Sequence, residues 1–310
     1  MKIVKAVAPY IYPNGINFKH KPYDAWKGLG GRVARAHYPI RAMHRLAFRY
    51  ELPSLYRNKS EARLRFVQPW SLEFDTFPDY ALYEIIPFFW DVWPENFEKT
   101  FAWLKKHYIR TAIFTSSQVA EMVKKLFPEM NVLAVTEGID VESYSRGKQL
   151  KDREIDFLEY GRNIDRVVKY RFEGLNVIRG QRDGKNLLTQ EQLLGALQNA
   201  KAVAAFTKKW TNPDQAGDID TLTQRYWECM LSGCIMIGHA PNELVKLLGY
   251  NPVVELDRRH PNEQLRAIIA NIKDYQPLVD KNRKEAIMKA DWSMRMKDIM
   301  QALIIFGYEI

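Results

Sequence analysis

The run Thr221-Leu-Thr-Gln-Arg-Tyr-Trp-Glu-Cys-Met-Leu-Ser-Gly-Cys-Ile-Met-Ile-Gly238, followed by Pro241-Asn-Glu-Leu244, holds a helix, a strand and the start of a second helix. Thr221 and Gln224 stand in the T-x-x-Q spacing of a capping box, which satisfies free amide hydrogens at a helix start. The spacing predicts a helix over 222–232 that carries Glu228 and is stopped by Gly233, a residue suited to a C-cap. The apolar run 235–237 reads as a short buried strand, and a helix over 242–248 follows. Helix, apolar strand, helix is the unit of a parallel sheet whose crossovers are helical.

The pattern extends outward on both sides. In the C-terminal half, strands are expected at 155–160, 175–178, 202–206, 235–237 and 252–256, with helices near 163–171, 189–200, 222–232 and 242–248. Residues 264–310 read as two helices with Asp291 and Trp292 between them. The N-terminal half is less regular. Strands are expected at 2–8, 63–68, 82–87, 111–115 and 131–135, and helices at 94–106 and 116–126. A Lys-, Pro- and Gly-rich loop ends at Gly28-Leu-Gly-Gly31, and a helix is expected from about Arg32, interrupted at Pro39. The polar stretch 145–153, with Gly147, is the expected linker. The fold expected is α/β, with a Rossmann-like domain over 1–150, a second over 151–290, and a C-terminal helix over 291–310 packing back toward the first.

A chain of 310 residues with 46% hydrophobic content can bury two cores. It holds no run near the ~20 apolar residues that span a bilayer. Its start, Met1-Lys-Ile-Val-Lys, lacks the apolar region of a secretory signal. Its two cysteines, Cys229 and Cys234, have neither disulfide-framework nor zinc spacing. A cytoplasmic location is expected, with peripheral contact at the inner face of the membrane.

Charge is concentrated rather than spread. Residues 19–65 hold twelve Lys or Arg against three Asp or Glu, a local excess equal to the net +9 of the whole chain. Arg41, Arg45 and Arg49 form one stripe at helical spacing beside the apolar stripe Ile40, Met43, Ala47 and Tyr50, so a basic amphipathic helix is expected there. Such a segment suits an anionic partner, a lipid surface being the expectation.

The run from Thr221 to Leu244 resembles the donor-binding segment of GT-B glycosyltransferases, of the family-4-like type with a T-x-R-x-x-E pattern formed here by Thr223, Arg225 and Glu228. Glu159-Tyr-Gly-Arg162 resembles the strand–Gly-Arg turn whose arginine contacts the donor diphosphate. Arg166, Lys169 and Arg171 compete for the lysine position that follows, with Lys169 favoured. Gly30-Gly31 resembles the glycine-rich first loop, and Thr136-Glu-Gly-Ile-Asp140 with Tyr144 resembles the segment that closes the N-domain. Together the matches span roughly 80–300; residues 1–80 rest on architecture and Gly30-Gly31 alone. One departure stands out: the E-x7-E pattern of retaining members would place its first glutamate at Thr221, with Asp218 and Asp220 nearby.

The resemblance implies two Rossmann-like domains facing a central cleft, and a donor site built from Gly30, Gly31, Arg162, Lys169, Thr221, Thr223, Arg225 and Glu228. The helix N-terminus and Arg225 would hold a diphosphate, and Glu228 would accept from ribose hydroxyls. The co-substrate would be a nucleotide-diphosphate sugar, with no further cofactor and no metal. The acceptor would be a glycan or a lipid-linked acceptor, in bacterial surface-polysaccharide synthesis. Candidates for a base are Asp91 and His44, with Asp75 and His37 also present. Two other readings compete: a nucleic-acid-binding protein or DNA-modifying glycosyltransferase using 19–65, for which no recognised nucleic-acid motif is present, and a non-catalytic GT-B relative, suggested by Thr221.

Overall fold

The structure, a computed structural model, describes residues 1–9, 20–36, 45–46, 49–50, 60–161, 164–182, 185–186 and 188–310. The chain divides into two compact units, Met1–Thr136 with Trp292–Ile310, and Glu137–Asp291. The stretch 145–153 therefore lies within the second unit. It cannot act as a spacer, because Leu150 and Arg153 are buried and Arg153 donates to the carbonyls of Lys148, Ala200 and Ser232.

The first unit opens with β1 (Lys2–Val7) and α1 (His20–Gly28). Here the sequence expectation is reversed: the Lys- and Pro-containing stretch is helical, and the residues after Arg32 form β2 (Val33–Ala34), which pairs with β1. Gly30, at φ +84°, explains the reversal. It takes the left-handed conformation that ends a helix, and the Gly30 and Gly31 amides donate to the carbonyls of Lys27 and Trp26. The glycine pair closes the helix before it and does not open one after it. Most of the expected basic helix, including Arg41, lies outside the described residues; Arg45 and Arg49 are exposed.

The unit continues with β3 (Glu61–Val67), the short helices α2 (Leu72–Thr76) and α3 (Asp79–Leu82), then β4 (Glu84–Phe89) and α4 (Phe97–Lys106). β5 (Thr111–Phe114), α5 (Ser117–Leu126) and β6 (Asn131–Ala134) complete it before the chain leaves. Parallel pairing follows from the helical crossovers. β4 is buried along its whole length, as an interior strand covered on both faces must be.

In the second unit, β7 (Ile155–Glu159) is followed by β8 (Val177–Arg179) and the antiparallel pair β9 (Gln181–Arg182) and β10 (Lys185–Asn186). Among the described residues, no α-helix fills 164–171. A single 3-10 turn, Ile164–Arg166, is followed by irregular chain whose Tyr170 and Phe172 rings pack 5.2 and 5.6 Å from Phe157. That aromatic burial outweighs the local helical pattern. Next come α6 (Gln190–Asn199), β11 (Ala200–Ala205), the short α7 (Lys208–Thr211) and α8 (Pro213–Ala216), and α9 (Gln224–Ser232). β12 (Ile235–Gly238), α10 (Asn242–Leu248) and β13 (Val254–Glu255) follow, forming a parallel sheet in the order β13-β12-β11-β7-β8.

The C-terminal stretch holds three helices, not two: α11 (Pro261–Ala270), α12 (Gln276–Lys289) and α13 (Trp292–Ile305), with β14 (Tyr308–Glu309) beyond them. α11 and α12 belong to the second unit, whereas α13 and β14 return to the first. β14 pairs with β1, giving the first sheet the order β14-β1-β3-β4-β5-β6 among the described residues. Trp292, Met296, Ile299 and Leu303, at the i, i+4, i+7, i+11 spacing of one helix face, pack with Trp26, Leu64, Phe66 and Phe88. Trp292 stacks on Trp90 with ring centroids 5.4 Å apart and planes 8° from parallel.

Candidate functional site

In the second unit the carboxyl ends of β7, β11 and β12 lead into Gly161, Thr207 and His239, the place where open parallel sheets hold ligands. α9 starts there. Its helical residues begin at Gln224, not at 222, and the expected capping box does not form. Thr223 is the N-cap and makes no side-chain cap bond, while the Thr221 hydroxyl, on a buried residue, donates to Glu243 Oε2 at 2.9 Å. The Leu222 amide donates to the same Glu243 oxygen at 2.8 Å, and the Gln224 amide to Glu137 Oε2 at 3.1 Å. Carboxylates from distant segments thus take the role assigned to Gln224. Two negative groups at the amino end of a helix are stabilised by its dipole. Gly233 ends α9 at φ +70°, in the C-cap conformation expected of it.

Arg225 lies in the first turn of α9 and is partly buried. Its guanidinium sits 5.2 Å from the centroid of the Tyr160 ring. Its Nε and Nη1 are screened from solvent and have no hydrogen-bond partner among the described residues. Gly161, at φ +80°, makes room for it: a Cβ there would stand 2.0 Å from Arg225 Nη2. Unmet N–H donors of this kind cost free energy until an acceptor arrives.

Glu228, one turn further along, is held from both sides. The Tyr144 hydroxyl donates to Oε1 at 2.9 Å and the Tyr160 hydroxyl to Oε2 at 2.8 Å. Burial raises both phenol pKa values, and the neighbouring Glu228 carboxylate adds to the shift. The hydroxyls therefore stay protonated and remain donors. Glu228 keeps further lone pairs for an incoming hydroxyl.

A third cluster was missed in the sequence. His239 Nε2 meets Asp220 Oδ2 at 2.9 Å, and Nδ1 stands 3.4 Å from Glu255 Oε2. The Thr207 hydroxyl donates to Asp220 Oδ1 at 2.5 Å. Burial would raise the Asp220 pKa, but hydrogen bonds from His239 and Thr207 outweigh it and the net value is lowered. The bond to Asp220 raises the His239 pKa against the effect of burial, helped by the charges of Asp220 and Glu255. Trp210 covers the imidazole at 4.9 Å, and Arg258 lies 4.2 Å above the Trp210 ring. The available signal was position: His239 is the first residue past β12.

Among the other expected site residues, Arg162 lies outside the described residues. Lys169 is exposed, as are Arg166 and Arg171; the Arg171 amide donates to Asn262 Oδ1. In the first unit, Gly31 is packed against the Trp26 indole, whose Nε1 donates to the Arg32 carbonyl at 2.8 Å. Gly30 and Gly31 thus have a local reason in the α1 cap. Asp75 is engaged in folding: its Oδ2 accepts from the Gln68 amide at 2.9 Å and the Ser71 hydroxyl at 2.5 Å. Asp91 differs. It follows β4 at φ +55°, a conformation uncommon for any residue but glycine, and its carboxylate makes no hydrogen bond or ion pair among the described residues. His37 and His44 lie outside the described residues. Among the described residues, no group of three or more His, Cys, Asp or Glu side chains is placed to hold a metal ion, and no helix is long and apolar enough to cross a membrane.

Comparison with solved structures places this arrangement. Sucrose-phosphate synthase from Thermosynechococcus elongatus superposes with a TM-score of 0.59 at 10% identity, covering 99% of each chain. AviGT4, a glycosyltransferase involved in avilamycin A biosynthesis, gives 0.54 at 13% identity over 98% of each chain.

The chain has the GT-B fold.

The GT-B likeness extends to a mutant of the T4 phage protein BGT in complex with UDP-glucose, at TM-score 0.51 and 12% identity, covering 97% of this chain and 99% of that one. TarM gives 0.54 at 12% identity, with this chain spanning only 55% of its length. No family model and no curated protein sequence matches the chain.

Proposed function

We propose that this GT-B chain is a glycosyltransferase that takes its sugar from a nucleotide-diphosphate-sugar donor. The observation that carries the reading is Arg225: a partly buried guanidinium whose Nε and Nη1 donors are unmet among the described residues, in the first turn of α9, beside a glycine whose missing side chain leaves it room. The forked N–H donors of a guanidinium suit the oxygens of a diphosphate. As the glycosidic bond breaks, charge grows on the departing diphosphate, and Arg225 would stabilise it in place, with Arg162 and Lys169 adding cationic charge. Glu228, fixed by two tyrosines, would accept from the ribose hydroxyls, and Thr221 and Thr223 would line the same end of α9. The reading needs no further cofactor and no metal.

Asp91 would serve as the base for the acceptor hydroxyl. A carboxylate unpaired among the described residues and a left-handed backbone are what a functional aspartate at a strand end would show. The basic segment 19–65 supports an acceptor or a surface that carries negative charge, as a lipid-linked acceptor of surface-polysaccharide synthesis does.

The test is thermal stabilisation by UDP, GDP, ADP and CMP and their sugars. A nucleotide at 100 times its dissociation constant adds about 2.7 kcal/mol, a shift of a few degrees. One nucleoside diphosphate is expected to stabilise the wild type, and both Arg225→Ala and Gly161→Ala to lose that shift. Asp91→Asn, which tolerates the same backbone, is expected to keep the shift and lose transfer about 100-fold or more. Wild type that no nucleotide stabilises would defeat the donor reading.

A further inference from the structure

His239 and Asp220 take no part in the proposed transfer, yet they flank the residue that carries it. Asp220 stands immediately before Thr221 and Leu222, whose hydroxyl and amide are held by Glu243, and Arg225 follows in the first turn of α9. The His239 ring meets Asp220 at 2.9 Å, and the His239 carbonyl accepts from the Tyr226 hydroxyl at 2.6 Å. One residue thus grips the chain on both sides of Arg225, at Asp220 and at Tyr226. The grip has a fixed base. The His239 amide donates to the Ala205 carbonyl at 2.9 Å, and the Ala240 amide to Glu255 Oε1 at 3.2 Å. Gly238 lets β12 come this close to β11, since a Cβ there would stand 1.9 Å from the Ala205 oxygen.

The ring half of the grip depends on protonation. Nε2 faces Asp220 and Nδ1 faces Glu255, so both ring nitrogens look at carboxylates, which only accept. A neutral imidazole has one N–H and one lone pair and would turn the lone pair on a carboxylate, whereas the imidazolium donates to both. The charged groups around the ring are Asp220 from the loop before α9, Glu255 from β13, and Arg258 beyond the Trp210 ring. Lys209 of α7 acts on Asp220 while pairing with Asp218 at 3.5 Å. The Asp220 side chain is 15% exposed and that of Glu255 51%, so water screens the Glu255 contact more and Asp220 dominates. The Asp220 hydrogen bond raises the imidazole pKa. The grip is therefore complete below about pH 6.5 and is lost as pH climbs through the higher folded value.

We propose that His239 is a positioning residue for the donor: its imidazolium holds Asp220 and so fixes the Arg225 end of α9, and loss of its proton loosens diphosphate binding. This role rests on the donor reading of Arg225.

The experiment is hydrogen exchange of the full chain over residues 219–227, as protection factors corrected for the intrinsic effect of pH, from about pH 6 to about pH 9. Calorimetric titrations with UDP, GDP and ADP cover the same range. Wild type is expected to lose protection in one titration step. His239→Lys keeps a cation across this range and is expected to remove the step, as is Asp220→Asn, which keeps the ring and removes its ionic partner. Melting curves at about pH 6 check that both variants fold. The wild-type affinity for the diphosphate that binds is taken relative to His239→Lys, so that ionisation of the nucleotide cancels. That ratio is expected to fall about tenfold at the midpoint of the protection step. No step in wild type, or the same step in both variants, overturns the proposal. So does diphosphate affinity that stays level across the step, which leaves the donor reading intact. A protection step with no diphosphate bound at any pH overturns the donor reading itself, and the positioning role with it.

Discussion

At the scale of single residues, the site is shaped by side chains whose demands are met from far along the sequence. Glu228 shows this best. Removing it as Glu228→Ala would leave the Tyr144 and Tyr160 hydroxyls without acceptors, at about 1–3 kcal/mol each if both stay buried. Glu228→Gln keeps an acceptor and should recover most of that loss in a urea unfolding curve, so the pair separates folding from donor binding. His239 gives a pH signature. Its pKa is raised in the folded state, so its contribution is complete below the ordinary imidazole value of about 6.5 and is lost as pH climbs through the higher folded value. Asp220, whose folded pKa is lowered, contributes above the ordinary aspartate value of about 3.9 and is lost as pH falls through the folded one. The stability gap between wild type and His239→Asn should therefore be widest between those values and narrow at alkaline pH. A gap that widens at high pH would contradict the ion pair.

Elements divide into those that local sequence specifies and those that packing specifies. α6 begins with a complete capping box: the Gln192 amide donates to Thr189 Oγ1 at 3.2 Å and the Thr189 amide to Gln192 Oε1 at 2.9 Å. α9 has the same letters at 221–224 without the box, because Glu243 and Glu137 reach its amino end first. Thr189→Ala should cost about 1 kcal/mol, whereas Thr223→Ala should cost far less, since its hydroxyl caps nothing. Equal losses in the two variants would refute that distinction. The strands near Thr111 and Asn131, the helix over 117–126 with Ser116 as its cap, and the second-unit strands were readable from apolar runs and caps. The helix expected at 163–171 was not readable as the irregular segment found over its described residues, since nothing local announces that Tyr170 and Phe172 will pack on Phe157. The glycine pair at 30–31 was ambiguous in the same way: a helix stop and a ligand loop use the same residues.

At the scale of the whole molecule, the chain completes its first unit only with its last residues. Trp292 is 2% exposed, stacks on Trp90 and meets Phe88 edge-on at 6.2 Å. Trp292→Ala should cost about 3–5 kcal/mol, concentrated in the first unit. Calorimetry is expected to resolve an early transition for that unit, with the second unit melting near its wild-type temperature. A single transition shifted as a whole would mean the two units unfold together.

By itself the sequence determined the alternation of strands and helices in the second unit, the GT-B resemblance, and the position of Arg225 and Glu228 at the start of one helix. These depend on periodicity and caps, which act over a few residues. Only the tertiary structure decided that Tyr144 and Tyr160 hold Glu228, that Glu243 and Glu137 cap α9, that His239 joins Asp220, and that α13 belongs to the first core. Each of these joins residues remote in sequence, and such pairings are set by which faces bury together, a property no local window contains.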